Sequence, residues 1–286
     1  MKFKNTQVYG FEGSIRGMRN PLESWHKSDS FFGIVNWEHP QDAHEDVIDS
    51  WVVQEISKKE HQIERYSKEW EELWDKYGEW LYNNECLQND HDLSVTATLG
   101  PKDLELAQKL ILAGPEHCKF MRQIFVSVDI TAPIFWWKEF DTYKVGTTAN
   151  STSTMHKLTS RPITRDLFEF DDGENLIVNS GEAPHGGEWE FTFEDYIEDI
   201  VDICESLRQR YLETKDKRYC RALVQMLPQS WLQTRTVTMS YANLRNMYFQ
   251  RREHKLIEWS EFCDWITQLP YGGELIMLEE KKNEIN

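Results

Sequence analysis

The segment QIFVSVDITAPIFWWKEFDTYKVGTTANSTSTMH, residues 123–156, holds three patterns in succession. Ile124, Val126, Val128 and Ile130 alternate with Phe125, Ser127 and Asp129. That period of two, rich in β-branched residues, predicts a strand over 123–130 buried on at least one face. Thr131 can cap a helix and Pro133 suits a first turn, so a helix is expected over 132–145, with Gly146 as its stop. At 100° per residue, Phe135, Glu139 and Thr142 share one side of that helix. Trp136, Phe140, Tyr143 and Ile134 lie near a second side, and Lys138, Asp141 and Val145 form a third. Large or charged groups on every side require a helix enclosed with its charges paired, or one bordering a pocket. The loop over 146–154 then supplies six hydroxyls and one amide with little apolar mass. Such a loop serves equally to hold a phosphate or sugar, or to cap and turn the chain.

Outward from this unit, the N-terminus predicts a strand over 7–11 and a short helix over 14–18 closed by Asn20-Pro21. Residues 22–40 read as a loop. Beyond Pro40 a long helical pattern is expected over 43–81, its seam formed by Ile63, Tyr66, Trp70, Leu73, Tyr77 and Trp80 at alternating spacings of three and four. Between Glu38 and Asp92 there are sixteen acids against five bases, a local net of -11. Residues 83–99 are polar and turn-rich, Gly100-Pro101 marks a boundary, and a short amphipathic helix follows over 102–112. On the other side, 158–187, with its prolines and glycines, reads as an excursion over the surface. A Thr-x-x-Asp capping pattern at Thr192 opens a helix to about residue 213. Further helical patterns occupy 218–227, 240–252 and 256–269. These elements place the chain in the α+β class. The expected division is 1–37 as part of the core, 38–95 as an acidic helical arm and 96–286 as the α/β core.

The 286-residue chain carries a formal net charge of -17, which argues against coating nucleic acid through phosphate contacts. No run approaches the ~20 apolar residues of a membrane span, so a cytoplasmic protein is expected. The five cysteines are scattered and without a C-x-x-C pair, indicating neither a disulfide framework nor a metal site. No Walker loop, dinucleotide glycine fingerprint, zincin helix or nucleophile-base-orienter triad is present, and no catalytic residue is assigned.

The order strand, helix, Ser/Thr/Asn-rich loop, followed later by LPQSWLQTRTVTMSYANLRNMYFQRREHKLIEW, resembles the flavin-dependent thymidylate synthases. That family carries an Arg-His-Arg triplet, then a Ser, an Asn, a second Ser and Arg-Tyr. Aligned on Ser153, this chain has Tyr143-Lys144-Val145 at the triplet, Thr148 at the first Ser, Asn150 at the Asn, Ser153 at the second Ser and Met155-His156 at Arg-Tyr. Leu227-Pro228 resembles the Leu-Pro before the family's last helices, with Val224 where the family has an Arg. Ser240 then takes the place of the family's Asn and Arg251 that of its late nucleotide-contacting Arg; alternatively Asn243-Leu244-Arg245 restores the Asn-x-Arg pattern. The resemblance covers residues 100–160 and 187–270 and leaves out the acidic arm.

The resemblance implies a fold like that of the thymidylate-synthase-complementing proteins: a central mixed or antiparallel sheet flanked by helices, here with a long acidic helical insertion. It implies a one-carbon transfer to a dUMP-like substrate without a protein nucleophile, with FAD, methylenetetrahydrofolate and NADPH as cofactors and a homotetramer as the assembly. The implied nucleotide- or cofactor-binding residues are Lys138, Tyr143, Lys144, Thr148, Asn150, Ser153, His156, Arg245 and Arg251. Tyr-Lys-Val in place of Arg-His-Arg removes planar donors and keeps one point charge. Cations available to compensate are Arg16, Arg19, Lys138, Lys144, Lys157, Arg245, Arg251 and Arg252. Two other readings stand beside this one: a non-catalytic nucleotide-binding homologue, and an interaction protein whose acidic arm docks on a basic partner.

Overall fold

The computed structural model describes residues 1–34, 68–83, 95–153, 157–170, 176–182 and 185–279. In chain order the elements are β1 (Lys2–Tyr9), α1 (Phe11–Arg19), β2 (Phe31–Ile34), α2 (Lys68–Asn83), β3 (Val95–Thr98) and α3 (Pro101–Leu112). Then come β4 (Phe125–Pro133), α4 (Ile134–Phe140), β5 (Thr148–Ser151), β6 (Ile177–Glu182) and β7 (Glu188–Thr192). The chain continues with α5 (Phe193–Thr214), α6 (Lys217–Met226), β8 (Leu232–Ser240), α7 (Tyr241–Arg251) and α8 (Ile257–Thr267). Four strands form a sheet in the order β1-β4-β8-β5, while β2 with β3, and β6 with β7, form antiparallel pairs. Helices and antiparallel strands together make this an α+β chain. No helix among the described residues is long and apolar enough to cross a membrane.

The chain divides into two compact units. One comprises Met1–Asn5 and Val128–Val237, the other Thr6–Ser127 and Thr238–Asn286. In the first unit, Leu158, Ile163, Leu167 and Phe168 pack with Ile200, Cys204, Leu223 and Trp231. This corrects the expectation of a surface excursion, because the front of 158–187 is core. Glu205 of α5 holds it there, accepting Ile163 N–H at 2.8 Å and a bidentate pair from Arg208, Nε at 2.7 Å and Nη2 at 2.6 Å. The same region also forms β6, whose residues 177–180 are exposed. Helix α5 begins at the expected place, Thr192 and Asp195 closing a reciprocal capping box.

In the second unit, Phe11 of α1 meets the Tyr241 and Tyr271 rings edge-on at 5.6 and 5.7 Å. Ser14 Oγ donates to the Phe120 carbonyl at 2.9 Å, and Tyr241 Oη to the Pro270 carbonyl at 2.6 Å. Both buried hydroxyls are thereby satisfied. A second polar knot joins the Ser28–Ser30 segment to α3. Asp29 accepts from the N–H groups of Lys102 and Asp103, serving as the N-terminal cap that Gly100 lacks. Asp103 in turn accepts from the N–H groups of Asp29 and Ser30, from Ser28 and Ser30 hydroxyls, and from Arg19 Nε at 2.5 Å. Gly100 lies so close that an added Cβ would stand 2.2 Å from the Asp29 carbonyl oxygen.

Three strands extend or overturn the sequence reading. β2 falls inside the expected 22–40 loop and β3 inside the polar stretch before Gly100, and the two pair with each other. β8 occupies a stretch given no element, since its Thr side chains mask the alternation. The helix over 132–145 is shorter than expected. Pro133 is still extended at φ -70°, ψ 154°, and α4 ends at Phe140, where Thr142 Oγ1 donates back to the Glu139 carbonyl. Thr131 caps nothing: its hydroxyl pairs with that of Thr234 at 2.7 Å. Gly146, at φ 76°, turns the chain into β5 rather than stopping a helix. Of the expected acidic arm over 38–95, the described residues are α2, with Trp70 buried, and Val95 of β3; the rest of the helix expected over 43–81 lies outside the described residues. Of the other seam positions, Ile63 and Tyr66 lie outside the described residues.

Of the cysteines, Cys204 and Cys263 are buried free thiols, each pushed up to about 11 by burial and so held protonated at neutral pH.

Candidate functional site

Strand β4 delivers the chain to α4 with its even-numbered residues Val126, Val128, Ile130 and Ala132 fully buried, the pattern expected for a half-buried strand. The first two helical N–H groups of α4, from Ile134 and Phe135, donate to the carbonyls of Trp231 and Gln229, both at 3.1 Å. The helix is thus fixed by the segment that leads into β8. Its buried side consists of Trp136, Trp137 and Phe140, whose ring centroids lie 4.9 to 5.3 Å apart. Lys138 and Asp141 emerge into solvent. Trp136, Trp137 and Phe140 are thus turned inward and Lys138 outward, while Phe135 and Glu139, which share a side, are both half-buried.

Trp137 is the joint between this helix and β8. Its indole N–H donates to the Gln233 carbonyl at 2.9 Å, and the Arg235 guanidinium stacks over its ring at 4.2 Å. Arg235 Nε donates to Gln233 Oε1 at 3.0 Å, and Nη1 to Asp141 Oδ1 at 2.7 Å. Stacking and two directed hydrogen bonds fix the guanidinium plane. The Gln233 amide also reaches the next strand, donating to the Thr152 carbonyl at 3.2 Å, while Thr152 N–H donates to the Thr234 carbonyl at 2.9 Å.

That next strand, β5, carries the hydroxyl-rich sequence. Thr148, Ala149, Asn150 and Ser151 are all exposed, as are Thr152 and Ser153 beyond it. Thr147 is half-buried, and its hydroxyl has no partner among the described residues. On the same sheet, polar rungs satisfy one another: Thr131 with Thr234, and Asp129 accepting from Thr236 at 2.5 Å and Asn5 at 2.7 Å. Those two hydrogen bonds, Thr236 first, hold the Asp129 carboxyl below its usual range.

The expected site residues divide between the two units. Lys138, Tyr143, Lys144, Thr148, Asn150 and Ser153 all belong to the first; Tyr143 is half-buried and the others are exposed. His156 lies outside the described residues, as does Met155. Arg245 and Arg251 belong to the second unit. Arg245 donates to the Ile276 carbonyl at 2.7 Å and stacks on Phe249 at 4.6 Å, and burial pulls its guanidinium below the usual value. Arg251 ends α7 and stacks on Trp259 at 4.5 Å. Ser240 is the N-cap of α7, in a capping box with Asn243.

Three more of the cations named as compensating have partners, Arg16 pairing with Glu12 at 3.9 Å. Arg19 is buried on Asp103, a structural role, and Arg252 pairs with Glu279 at 2.8 Å. Arg235 was absent from the sequence candidates. Its only signal is a cation inside the β-branched run TRTVT, two residues from Gln233.

A flavin dinucleotide carries a pyrophosphate, which calls for clustered N–H or guanidinium donors. The positions matching the family's triplet offer Tyr143, half-buried, Lys144, exposed, and Val145, 88% exposed. One point charge and a valine do not fit a pyrophosphate.

No family model matches the chain, and no curated protein does. Among solved structures, it is similar to the flavin-dependent thymidylate synthase ThyX of Helicobacter pylori complexed with FAD and dUMP. One such structure has a TM-score of 0.42 at 16% identity over 62% of this chain and 83% of that one. Another has 0.42 at 14% identity over 69% and 88%. The UMP/dUMP methylase PolB of Streptomyces cacaoi, bound with 5-Br UMP, has a TM-score of 0.43 at 16% identity over 62% of this chain and 83% of its own. Likenesses of this size leave activity to be argued from the residues of this chain.

Proposed function

We propose that the chain is a divergent flavin-dependent thymidylate-synthase-like protein that binds, or acts on, a pyrimidine deoxynucleotide. One observation supports the reading above others: Thr148, Asn150 and Ser153, the positions matching the family's Ser, Asn and Ser, stand exposed on β5 and just beyond it, beside β8. Short hydroxyl and amide side chains on an open strand suit the sugar, base edge and phosphate of a nucleotide. Lys138 and Lys144, both exposed in the same unit, add cationic charge.

Toward a dUMP-like substrate the protein's part is binding and orientation rather than nucleophilic attack. An exposed hydroxyl strand gives little exclusion of water by itself. We therefore place the working site in a homo-oligomer, a tetramer by the family resemblance, whose neighbouring copies would cover it.

The test is an absorbance spectrum of the pure protein, mass spectrometry of what it releases on denaturation, and calorimetric titration with dUMP. Bound deoxynucleotide, or micromolar to millimolar binding of dUMP, is expected. A flavin spectrum, and turnover with methylenetetrahydrofolate and NADPH, would establish the full reaction; binding without turnover would leave a nucleotide-binding homologue. A colourless protein that takes up neither FAD nor any deoxynucleotide would overturn the proposal.

A further inference from the structure

The resemblance implies that an Arg shortly after the second Ser meets the nucleotide's phosphate, and this chain has Met155 there. We infer that Arg235 of β8 supplies the cation instead, as a receptor for a phosphate monoester. The inference rests on the nucleotide reading above and adds the residue that would read the ligand's charge.

Four features of Arg235 carry it. Its guanidinium carbon lies over the Trp137 indole at 4.2 Å, and bonds to Gln233 and Asp141 restrain the group, which preorganises a planar fork for an oxyanion. Nε is used on Gln233 and one Nη1 hydrogen on Asp141, so that among the described residues both Nη2 hydrogens and the second Nη1 hydrogen are left for a ligand. The side chain retains 16% of its surface, so it is sheltered yet reachable. Finally, the Gln233 side chain that fixes Nε also holds the Thr152 carbonyl, tying the cation to the hydroxyl loop through one amide.

Asp141 is the counter-ion of this guanidinium within the chain itself. It sits at the C-terminal end of α4 with 49% of its side chain exposed, so it gives up the guanidinium to water at small cost. A phosphate dianion brings more charge and more acceptor oxygens to the same fork. Asp141 therefore competes with the ligand, and removing its charge strengthens phosphate binding.

The experiment compares dUMP with deoxyuridine, which differ by the phosphate alone, on wild-type, Arg235→Ala, Arg235→Lys and Asp141→Asn proteins of verified fold. Arg235→Ala is expected to weaken dUMP about 10- to 100-fold, the loss of one or two charge-assisted hydrogen bonds, and to leave deoxyuridine unchanged. Arg235→Lys recovers part of the loss, and Asp141→Asn tightens dUMP several-fold. Equal losses for dUMP and deoxyuridine in Arg235→Ala, or no loss for either, would overturn the inference.

A second measurement stands apart from nucleotide binding. On the wild-type protein, phenylglyoxal labelling mapped by mass spectrometry should modify Arg235, and millimolar inorganic phosphate should protect it. Labelling of Arg235 indifferent to phosphate also counts against the inference. If wild-type protein binds no dUMP but phosphate still protects Arg235, the nucleotide reading fails and the anion receptor stands, with free phosphate as its ligand.

Discussion

Arg19 with Asp103 and Arg235 with Asp141 are the same chemical pair in opposite surroundings. In the first, the side chains keep 5% and 0% of their surface, and the carboxylate accepts from Arg19 on one oxygen and from two serine hydroxyls and two backbone N–H groups on the other. In the second they keep 16% and 49%, and the carboxylate has the guanidinium as its one bonded partner among the described residues. The sealed pair organises the Ser28–Ser30 segment and a helix start; the open pair leaves guanidinium hydrogens without a partner among the described residues. The difference teaches that an Arg–Asp contact reveals its purpose through what else surrounds it. Glu205 with Arg208 stands between them, at 26% and 7% exposure.

The largest effect is expected where the pair is sealed. Asp103→Ala strands the Arg19 charge in the interior and orphans the N–H groups of Asp29 and Ser30, a loss of about 3–5 kcal/mol. Urea unfolding should show the midpoint falling accordingly. A change within about 1 kcal/mol would mean that water or rearrangement satisfies these groups, and the contrast with Arg235 would lose its basis.

The intermediate pair adds a pH signature. The Arg208 hydrogen bonds hold the Glu205 carboxyl down at about 2, against an ordinary value of 4.5. A depressed acid contributes stability that is full above its unfolded value and lost as pH falls through the folded one. The contribution is therefore complete above about pH 4.5 and fades toward pH 2. Glu205→Gln should cost about 1.5–3 kcal/mol at pH 7 and flatten the loss of stability between pH 5 and 3. Unchanged slopes in denaturation series at those pH values would count against the clamp.

A steric probe of the sealed region follows. Gly100→Ala puts a Cβ 2.2 Å from the Asp29 carbonyl oxygen and 2.3 Å from its carboxylate, forcing the segment away from α3. About 1–3 kcal/mol is expected, read as a lower melting temperature. Asp29 itself is held above the usual carboxylate range, burial outweighing the N–H bonds from Lys102 and Asp103. A raised acid favours the folded state in its protonated form, so this group's contribution falls as pH rises from 3.8 through its folded value. In the same denaturation series, Asp29→Asn is expected to remove that component.

What was legible in advance follows the range of the interactions. The period of two in β4 and the capping pattern at Thr192 act within a few positions, and both appear where the residues placed them. β8 was illegible because its polar rungs, Thr234 and Thr236, are satisfied by Thr131 and Asp129 more than a hundred positions away. The core made by Leu158, Ile163 and Leu167 follows no helical or strand period and is closed by Glu205 from another element. The hydroxyl strand was visible as composition. Arg235 was not, since its significance lies in Trp137 and Asp141, which only the fold brings to it.

The smallest expected effect is the sharpest test of the comparison. Asp141→Asn removes a half-exposed charge from a contact that water can replace, and should change stability by less than about 1 kcal/mol. A loss like that of Asp103→Ala would make Arg235–Asp141 a second structural staple, with Arg235 committed to holding α4 against β8. A near-neutral outcome leaves the guanidinium fixed by the Trp137 face and Gln233, neither of which the substitution disturbs. Stability measured on this one variant, set beside the tightening expected for dUMP, therefore separates a cation that serves the fold from one that the fold holds ready.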